Sequence, residues 1–289
     1  GFQDYLVFQF CMEGRTLFQG IEELEPAHRM TITADGSIKR RRYWQVYYRP
    51  DIYHTEQYFH DELEAQFQRS IKYHVRSDVP VGGYVSGGVD SSITSAVARD
   101  LLGESFVGFT GKYHIGPDYD ESAYARTVAR EKDFKLYELD ITAQAFIDNI
   151  GNVIYTLDAP VAGPGSFSQY MISRLAAQHR KVVLGGQGGD EIFGGYTRYL
   201  VAYFEQCIKG AIEGTAQKGA FVVTYESIIP NLTALRNYKP MLRSFWSKGL
   251  FDEPSKRYFQ LINRAPGMED CVHRDALPAY DPYDSYERL

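Results

Sequence analysis

Residues 86–92 read Ser-Gly-Gly-Val-Asp-Ser-Ser and stand at a predicted strand-to-helix corner. Gly87 and Gly88 let the backbone turn sharply and leave its amide groups uncovered. Ser91 and Ser92 add hydroxyl donors at the N-terminus of the following helix, where the helix dipole is positive. This combination predicts a pocket for phosphate oxygens. The alternative, a tight turn with a helix cap, accounts less well for the complete seven-residue string.

No lysine is present in this loop. A Walker loop would place a lysine here that reaches the β- and γ-phosphates of a nucleotide. The loop therefore suits a pyrophosphate group that departs whole. Asp90 lies in the same loop, and a bare carboxylate would repel phosphates. Because bound Mg²⁺ would remove that repulsion, we interpret Asp90 as a metal ligand.

A second glycine-rich segment, 181-KVVLGGQGGDEIFGGY-196, has the same form, since an apolar run again leads into a loop with acidic residues. Its glycines leave main-chain groups free to contact a nucleotide. The glycines that surround Gln187 are Gly185, Gly186, Gly188 and Gly189. Asp190 becomes the second candidate Mg²⁺ ligand. The alternative is a flexible loop closed by a helix cap.

Apolar runs and helical patterns alternate from residue 79 onward, which favours an α/β fold with a parallel sheet and helices on both faces. Ligands of such sheets bind beyond the carboxyl ends of the strands, where both loops are expected to lie. Strands are predicted at 81–86, 105–113, 135–141 and 181–186. Helices are predicted at 91–102, about 120–132, 143–157 and 168–179.

The first 50 residues look different. Aromatic and β-branched runs at 5–10, 28–33 and 43–48 predict strands, separated by turns at 13–14 and 35–36. Residues 56–75 follow, with apolar side chains at strict four-residue steps, which predicts an amphipathic helix packed in the core.

The composition limits the class of protein. With 289 residues, 44% of them hydrophobic, the chain can form about two domains. A net charge of −6 with both signs interspersed indicates neither a nucleic-acid groove nor a membrane surface. The three cysteines have no disulfide or zinc-ligand spacing, and no apolar run is long enough to span a bilayer, so we expect a cytoplasmic protein. The oligomeric state, including a homodimer, stays open.

The segment 77-SDVPVGGYVSGGVDSS-92 closely resembles the PP-loop of the asparagine synthetase family, and residues 181–196 match that family in the correct order. The resemblance covers essentially the whole chain and implies the N-type ATP pyrophosphatase fold, a doubly wound, mainly parallel sheet. It also implies that aspartate attacks the α-phosphate of ATP, pyrophosphate leaves, and ammonia from glutamine captures the acyl-adenylate as asparagine. ATP and Mg²⁺ would be the cofactors.

The resemblance also implies roles for single residues. In the family, this second loop lies against the ATP and the acyl-adenylate, and the strand over residues 106–110 offers backbone contacts to the base. The residues expected to bind the nucleotide are Ser86, Gly87, Gly88, Asp90, Ser91, Ser92, Phe109, Gly185 and Gly186. Asp90, Asp190 and Gln187 are expected to act in catalysis, with Asp90 and Asp190 also holding the metal.

Residues 16–44 resemble the last strands of the family's glutaminase domain. We therefore expect residues 1–50 to be the β remnant of that domain and residues 51–289 to be a synthetase domain truncated at its C-terminus. The family's glutaminase nucleophile is an N-terminal cysteine. Because residue 1 is Gly and Cys11 matches no such position, we expect no glutamine hydrolysis. A central fragment of this kind is also expected to make no amide alone.

Gln187 departs from the pattern, because well-known asparagine synthetases have Glu here, which can bind ammonium or take its proton. An amide can still accept a hydrogen bond through its oxygen and donate one through its nitrogen. The chain is then either an asparagine synthetase of a Gln-bearing branch or a relative with another amine acceptor. β-Lactam-forming and peptide-cyclising relatives are of the second kind, and a nucleotide-binding module without turnover is a further alternative.

Overall fold

The computed structural model describes the chain except residues 50, 52, 115, 117, 118, 161–163, 215–234, 237, 269–271, 273–276, 278 and 289. The chain forms two compact units. Tyr53–Tyr196 is called the sheet unit, and Gly1–Ile52 with Thr197–Leu289 is called the flanking unit. Within the described residues, no helix is both long and apolar enough to cross a membrane.

The elements are numbered in chain order. The strands are β1 (His28–Ile32), β2 (Ile38–Arg42), β3 (Val81–Tyr84), β4 (Val107–Tyr113), β5 (Lys135–Ile141) and β6 (Val182–Leu184). The helices are α1 (Phe2–Phe8), α2 (Glu56–His74), α3 (Val89–Leu102), α4 (Ser122–Glu131), α5 (Ala143–Leu157), α6 (Pro164–Ala177), α7 (Gly189–Phe193), α8 (Thr197–Ile212), α9 (Lys239–Trp246), α10 (Pro254–Ile262) and α11 (Pro282–Glu287).

Four strands of the sheet unit pair in the order β5-β4-β3-β6, and all three pairings are parallel. Gly83 of β3 lies opposite Gly108 on one side and Leu184 on the other. The parallel sheet predicted from the sequence is therefore confirmed. Because parallel strands end at the same edge, the loops after β3 and β6 begin side by side.

Helices cover both faces of this sheet. On one face, Ile71 of α2, Ala98 of α3 and Phe106 form a buried cluster. On the other face, Phe109 of β4 packs against Ala176 of α6. The sheet unit is thus a doubly wound α/β structure, and the four helices predicted after residue 90 are confirmed as α3 to α6.

The helix predicted at residues 56–75 is confirmed as α2, but the N-terminal part of its apolar stripe is not packed in a core. Ile71 is 7% exposed, whereas Phe59 and Leu63 are 40% and 47% exposed. The reason is that only Phe67, Ile71 and the C-cap residue Val75 contact the cluster formed with α3.

The strand predicted at residues 5–10 is wrong, because this segment forms α1. Asp4, Val7 and Phe8 are its buried residues. Positions 4, 7 and 8 lie on one side of a helix but on alternating sides of a strand, so a helix buries all three together. Phe8 packs edge-on against the ring of Phe259 in α10.

The strands expected in the first 50 residues are confirmed in part. The strand predicted at 28–33 forms as β1, and the turn at 35–36 connects it to an antiparallel partner. That partner is β2, Ile38–Arg42, and the strand predicted at 43–48 is wrong. Because His28, the first residue of β1, pairs with Arg42, the residues after 43 extend past β1 and have no strand opposite them.

The flanking unit contains a buried ion pair. Arg257 of α10 donates to both carboxylate oxygens of Glu205 in α8, at 2.8 and 2.6 Å, and the two side chains are 2% and 1% exposed. Lys209 Nζ lies 3.5 Å from the same carboxylate. The guanidinium of Arg257 lies 3.8 Å above the centre of the Phe245 ring. These contacts fix α8 and α10 together.

A second polar cluster in this unit surrounds Glu13, which accepts hydrogen bonds from Arg288, Arg15 and Ser285 at 2.6, 2.6 and 3.1 Å. The bond from Arg288 is the main reason that the pKa of Glu13 falls to about 2. Of the three cysteines, Cys271 lies outside the described residues, and the other two are free thiols.

Candidate functional site

The corner between β3 and α3 holds the first candidate loop, residues 86–92. Helix α3 begins at Val89, with Gly88 as its N-cap and no side-chain cap. The buried hydroxyl of Ser91 lies 2.8 Å from Ser86 Oγ, accepts from the Ser86 backbone N–H at 3.1 Å and donates to the Gly88 carbonyl at 3.2 Å. Ser91 therefore braces the loop from within.

Gly87 is the position in this loop that requires glycine. Its φ of +97° is a conformation that side-chain-bearing residues rarely adopt. An added Cβ would also overlap the carbonyl oxygen of Glu121 and lie 3.2 Å from its carbonyl carbon. The loop thus rests directly on the backbone at the start of α4.

The second loop, which follows β6, meets the first loop at the N-terminus of α3. A Cβ added to Gly186 would lie 2.7 Å from the Ser91 backbone nitrogen. A Cβ added to Gly189 would overlap the carboxylate of Asp90. Only glycines at these two positions permit this approach. It brings Asp90 next to Gly189, the residue before Asp190.

Asp190 is the second residue of the short helix α7, and its side chain folds toward Gly195, whose added Cβ would lie 3.0 Å from the Asp190 Cγ. The described residues contain no group of three or more His, Cys, Asp or Glu side chains that could form a metal site alone. Mg²⁺ is commonly held by one or two carboxylates together with substrate phosphates and water. Asp90 and Asp190, one at each loop, are two carboxylates of the kind that such a site uses.

Gln187 lies between the glycines of the second loop, and its side chain folds back over Gly185. A Cβ added to Gly185 would overlap Gln187 Oε1 and lie 3.2 Å from its Cδ. Gln187 Nε2 donates to Gln169 Oε1 of α6 at 3.4 Å. Sequence reasoning missed Gln169, because no spacing or motif connects positions 169 and 187.

A cavity of about 850 Å³ opens along the second loop. Asp90, Gln187 and four glycines of that loop form part of its wall, and apolar side chains of α2 and α3 form another part. The size and the mainly apolar wall with a few polar groups are typical of ligand pockets. Leu63, in the exposed N-terminal half of α2, is part of this wall.

Phe109 lies in β4, next to the first loop. Its backbone oxygen accepts from Val85 N at 2.9 Å, and its ring is fully buried against α6. At the same edge of the sheet, Lys112 lies 3.1 Å from Asp140, to which His114 also bonds at 2.7 Å. The hydrogen bond from Lys112, followed by that from His114, lowers the pKa of Asp140.

Comparison with known proteins identifies the family. The family model described as asparagine synthase matches residues 62–283, which is more than half of the chain. The chain belongs to the asparagine synthase family. Among curated relatives, asparagine synthetase (glutamine-hydrolyzing) 1 of Bacillus subtilis is 31% identical over 200 residues, which cover 68% of this chain and 31% of that protein.

Asparagine synthetase B (glutamine-hydrolyzing) of Escherichia coli is 31% identical over 184 residues, or 59% of this chain and 33% of that protein. This member of the asparagine synthase family thus spans about a third of the length of these curated relatives. A solved NH3-dependent NAD synthetase from Campylobacter jejuni aligns with 78% of the chain and 100% of that protein at 16% identity. Its TM-score of 0.35 is too low to bear on function.

Proposed function

We propose that this protein carries out ATP-dependent amide synthesis, in which a carboxylate is activated as an acyl-adenylate with release of pyrophosphate. The observation that carries the proposal is the meeting of two glycine-rich loops at the N-terminus of α3, with Asp90 between them. Residues 86–92 and 185–196 contain no lysine, so the arrangement favours transfer of an adenylyl group over transfer of the γ-phosphate.

In this proposal, the backbone N–H of Gly87 and the N-terminus of α3 bind the β- and γ-phosphates. The substrate carboxylate attacks the α-phosphorus, the bond from that phosphorus to the bridging oxygen breaks, and pyrophosphate leaves with the electron pair. Mg²⁺, bound by Asp90 and Asp190, would neutralise the charge of the departing pyrophosphate. The two loops hold these groups in place before the reaction, which is an efficient form of electrostatic stabilisation.

The second step forms the amide. The nitrogen of an amine adds to the acyl carbon, the carbon–oxygen bond to AMP breaks, and AMP leaves with the electron pair. The surplus proton on nitrogen passes to water. We propose aspartate as the acyl substrate and ammonia as the amine, giving asparagine, because asparagine synthetases are the relatives with the greatest identity among those named above.

The specific observation that keeps a second amine acceptor open is Gln187, whose amide cannot take a proton as a carboxylate can. In that case the product would be a different amide, formed on the same acyl-adenylate. Replacing Gln187 with Glu separates the two cases. An ammonia-using enzyme should tolerate the carboxylate and still make asparagine.

We also propose that residues 1–50 correspond to the end of a glutaminase-type domain and residues 51–289 to a synthetase domain. The start of the family match at residue 62 supports this division, as does the antiparallel β1–β2 hairpin that precedes it. Ammonia would then come from glutamine hydrolysed by a domain of that type.

The test is the exchange of labelled pyrophosphate into ATP in the presence of aspartate, measured for Asp90→Asn in the protein expressed from its complete coding sequence. Loss of the metal ligand should lower exchange about a hundredfold or more. Asp100→Asn is the matched control, because Asp100 lies on the same helix but is exposed and pairs with Lys132 at 2.7 Å. Exchange at the unmutated rate in Asp90→Asn would remove Asp90 from the site.

A further inference from the structure

A chain of polar side chains connects the sheet to Gln187. Tyr84 of β3 places its hydroxyl 2.8 Å from Ser173 Oγ of α6. Gln169, one turn earlier on α6, donates to the same Ser173 oxygen at 3.4 Å and accepts from Gln187 Nε2 at 3.4 Å. The amide of Gln169 is thereby held at both ends, with its nitrogen toward Ser173 and its oxygen toward Gln187.

This contact gives the amide of Gln187 a defined orientation. Its nitrogen is directed to Gln169, so its oxygen is the atom that lies over Gly185. Among the described residues, none donates a hydrogen bond to that oxygen. Gln187 and Asp90 belong to the wall of the same cavity. An acceptor atom is therefore presented beside the proposed reaction centre.

From this geometry we propose that Gln169 is a positioning residue, which orients Gln187 so that its carbonyl oxygen accepts a hydrogen bond from the attacking amine. This inference rests on the proposed function and adds a residue that positions Gln187 toward the amine. As the carbon–nitrogen bond forms and AMP leaves with the electron pair of the broken carbon–oxygen bond, the amine must keep an N–H directed at Gln187. The nucleophile is therefore ammonia or a primary or secondary amine.

The orientation matters only because position 187 is an amide. A carboxylate has two equivalent oxygens and presents an acceptor in either orientation, whereas a glutamine presents an acceptor on one side and a donor on the other. Gln169 is thus a companion to Gln187 and would have no such role beside a glutamate. This difference makes the inference testable.

The first test is spectroscopic and needs no activity. In protein labelled with ¹⁵N-glutamine, the side-chain NH₂ signals of Gln187 are identified by their loss in Gln187→Glu. Gln169→Met should shift them, because the acceptor of the Gln187 N–H is removed. Gln178→Met, at an exposed position just after α6, is the control and should leave them in place. Unchanged Gln187 signals in Gln169→Met would overturn the proposal.

The second test is a double-mutant cycle on the protein expressed from its complete coding sequence. Gln169→Met should lower amide formation at subsaturating amine by roughly tenfold, as expected for one mispositioned hydrogen bond. Pyrophosphate exchange should stay within about twofold. Gln169→Glu keeps an acceptor for Gln187 and should restore amide formation. In the Gln187→Glu background, Gln169→Met should have no further effect.

An equal loss in both backgrounds, or a parallel loss of pyrophosphate exchange, would show a merely structural role and overturn the inference. Absence of exchange in the unmutated protein would instead contradict the proposed function. In that case the Gln187 signals alone decide whether Gln169 orients Gln187.

Discussion

Replacing Gly87 with alanine tests how the phosphate loop is built. The new Cβ would overlap the Glu121 carbonyl oxygen, and because this atom belongs to the backbone of α4's N-cap, it cannot swing aside. Overpacking of this kind costs about 1–3 kcal/mol. A side chain at a φ of +97° adds about 1–3 kcal/mol of backbone strain. Keeping the loop in place would thus cost roughly 2–6 kcal/mol.

Gly103→Ala is the matched control at the other end of α3. Gly103 also has a positive φ, of +62°, but an added Cβ would meet nothing within 4 Å. The control therefore carries the backbone strain without the overlap. We expect Gly87→Ala to be the more destabilising of the two by about 1–3 kcal/mol. We also expect ATP binding to be lost in Gly87→Ala and kept within about twofold in Gly103→Ala.

Urea unfolding gives the difference in stability, and isothermal titration calorimetry gives the affinity for ATP with Mg²⁺. The informative quantity is the difference between the two variants, since both change a glycine with positive φ. Equal unfolding midpoints combined with equal ATP affinities would refute the reasoning, because they would show that residues 86–92 neither rest on α4 nor bind phosphate.

Three further predictions follow from single contacts. Gly186→Ala, whose Cβ would lie 2.7 Å from Ser91 N, should push the two loops apart, weaken ATP binding at least tenfold in calorimetry and cost about 1–3 kcal/mol in urea unfolding. Arg257→Met removes both hydrogen bonds of Arg257 to the buried Glu205 carboxylate, which keeps Lys209 at 3.5 Å, and should cost about 3 kcal/mol in urea unfolding, whereas Arg288→Met at the surface should cost less than about 1 kcal/mol. The folded pKa of Glu13 is depressed to about 2, so its contribution to the free energy of unfolding is complete above the unfolded pKa of about 4.3. The difference in that free energy between wild type and Glu13→Gln should therefore shrink as the pH falls from about 5 to 2.

The sequence predicts the sheet and both loops because these features have local signals. Apolar runs followed by glycine-rich segments indicate β3 and β6, and their parallel pairing follows from the helices between them. The hairpin turn at 35–36 is likewise local. The strand predicted at 43–48 fails because its formation depends on a partner, and β1 is already fully paired with Ile38–Arg42.

Tertiary contacts account for what the sequence does not predict. Gln169 and Gln187 are 18 residues apart on different elements, and only the fold brings their amides together. The hydroxyl of Ser91 was expected to face a phosphate, but it is buried within the loop, where it braces Ser86. Only the C-terminal part of α2 is buried, because only that part contacts the cluster formed with α3. The four-residue apolar period is the same along the whole helix and does not encode this difference.

The most direct test of the proposed function is the identity of the products of ATP turnover. The protein expressed from its complete coding sequence is incubated with ATP, Mg²⁺, aspartate and ammonia, and the phosphorus species are followed by ³¹P NMR. Two glycine-rich loops without a lysine, meeting at Asp90, predict AMP and pyrophosphate in equal amounts, formed only when the carboxylate is present. Formation of ADP and inorganic phosphate would contradict the proposal, because it would mean that the γ-phosphate is transferred.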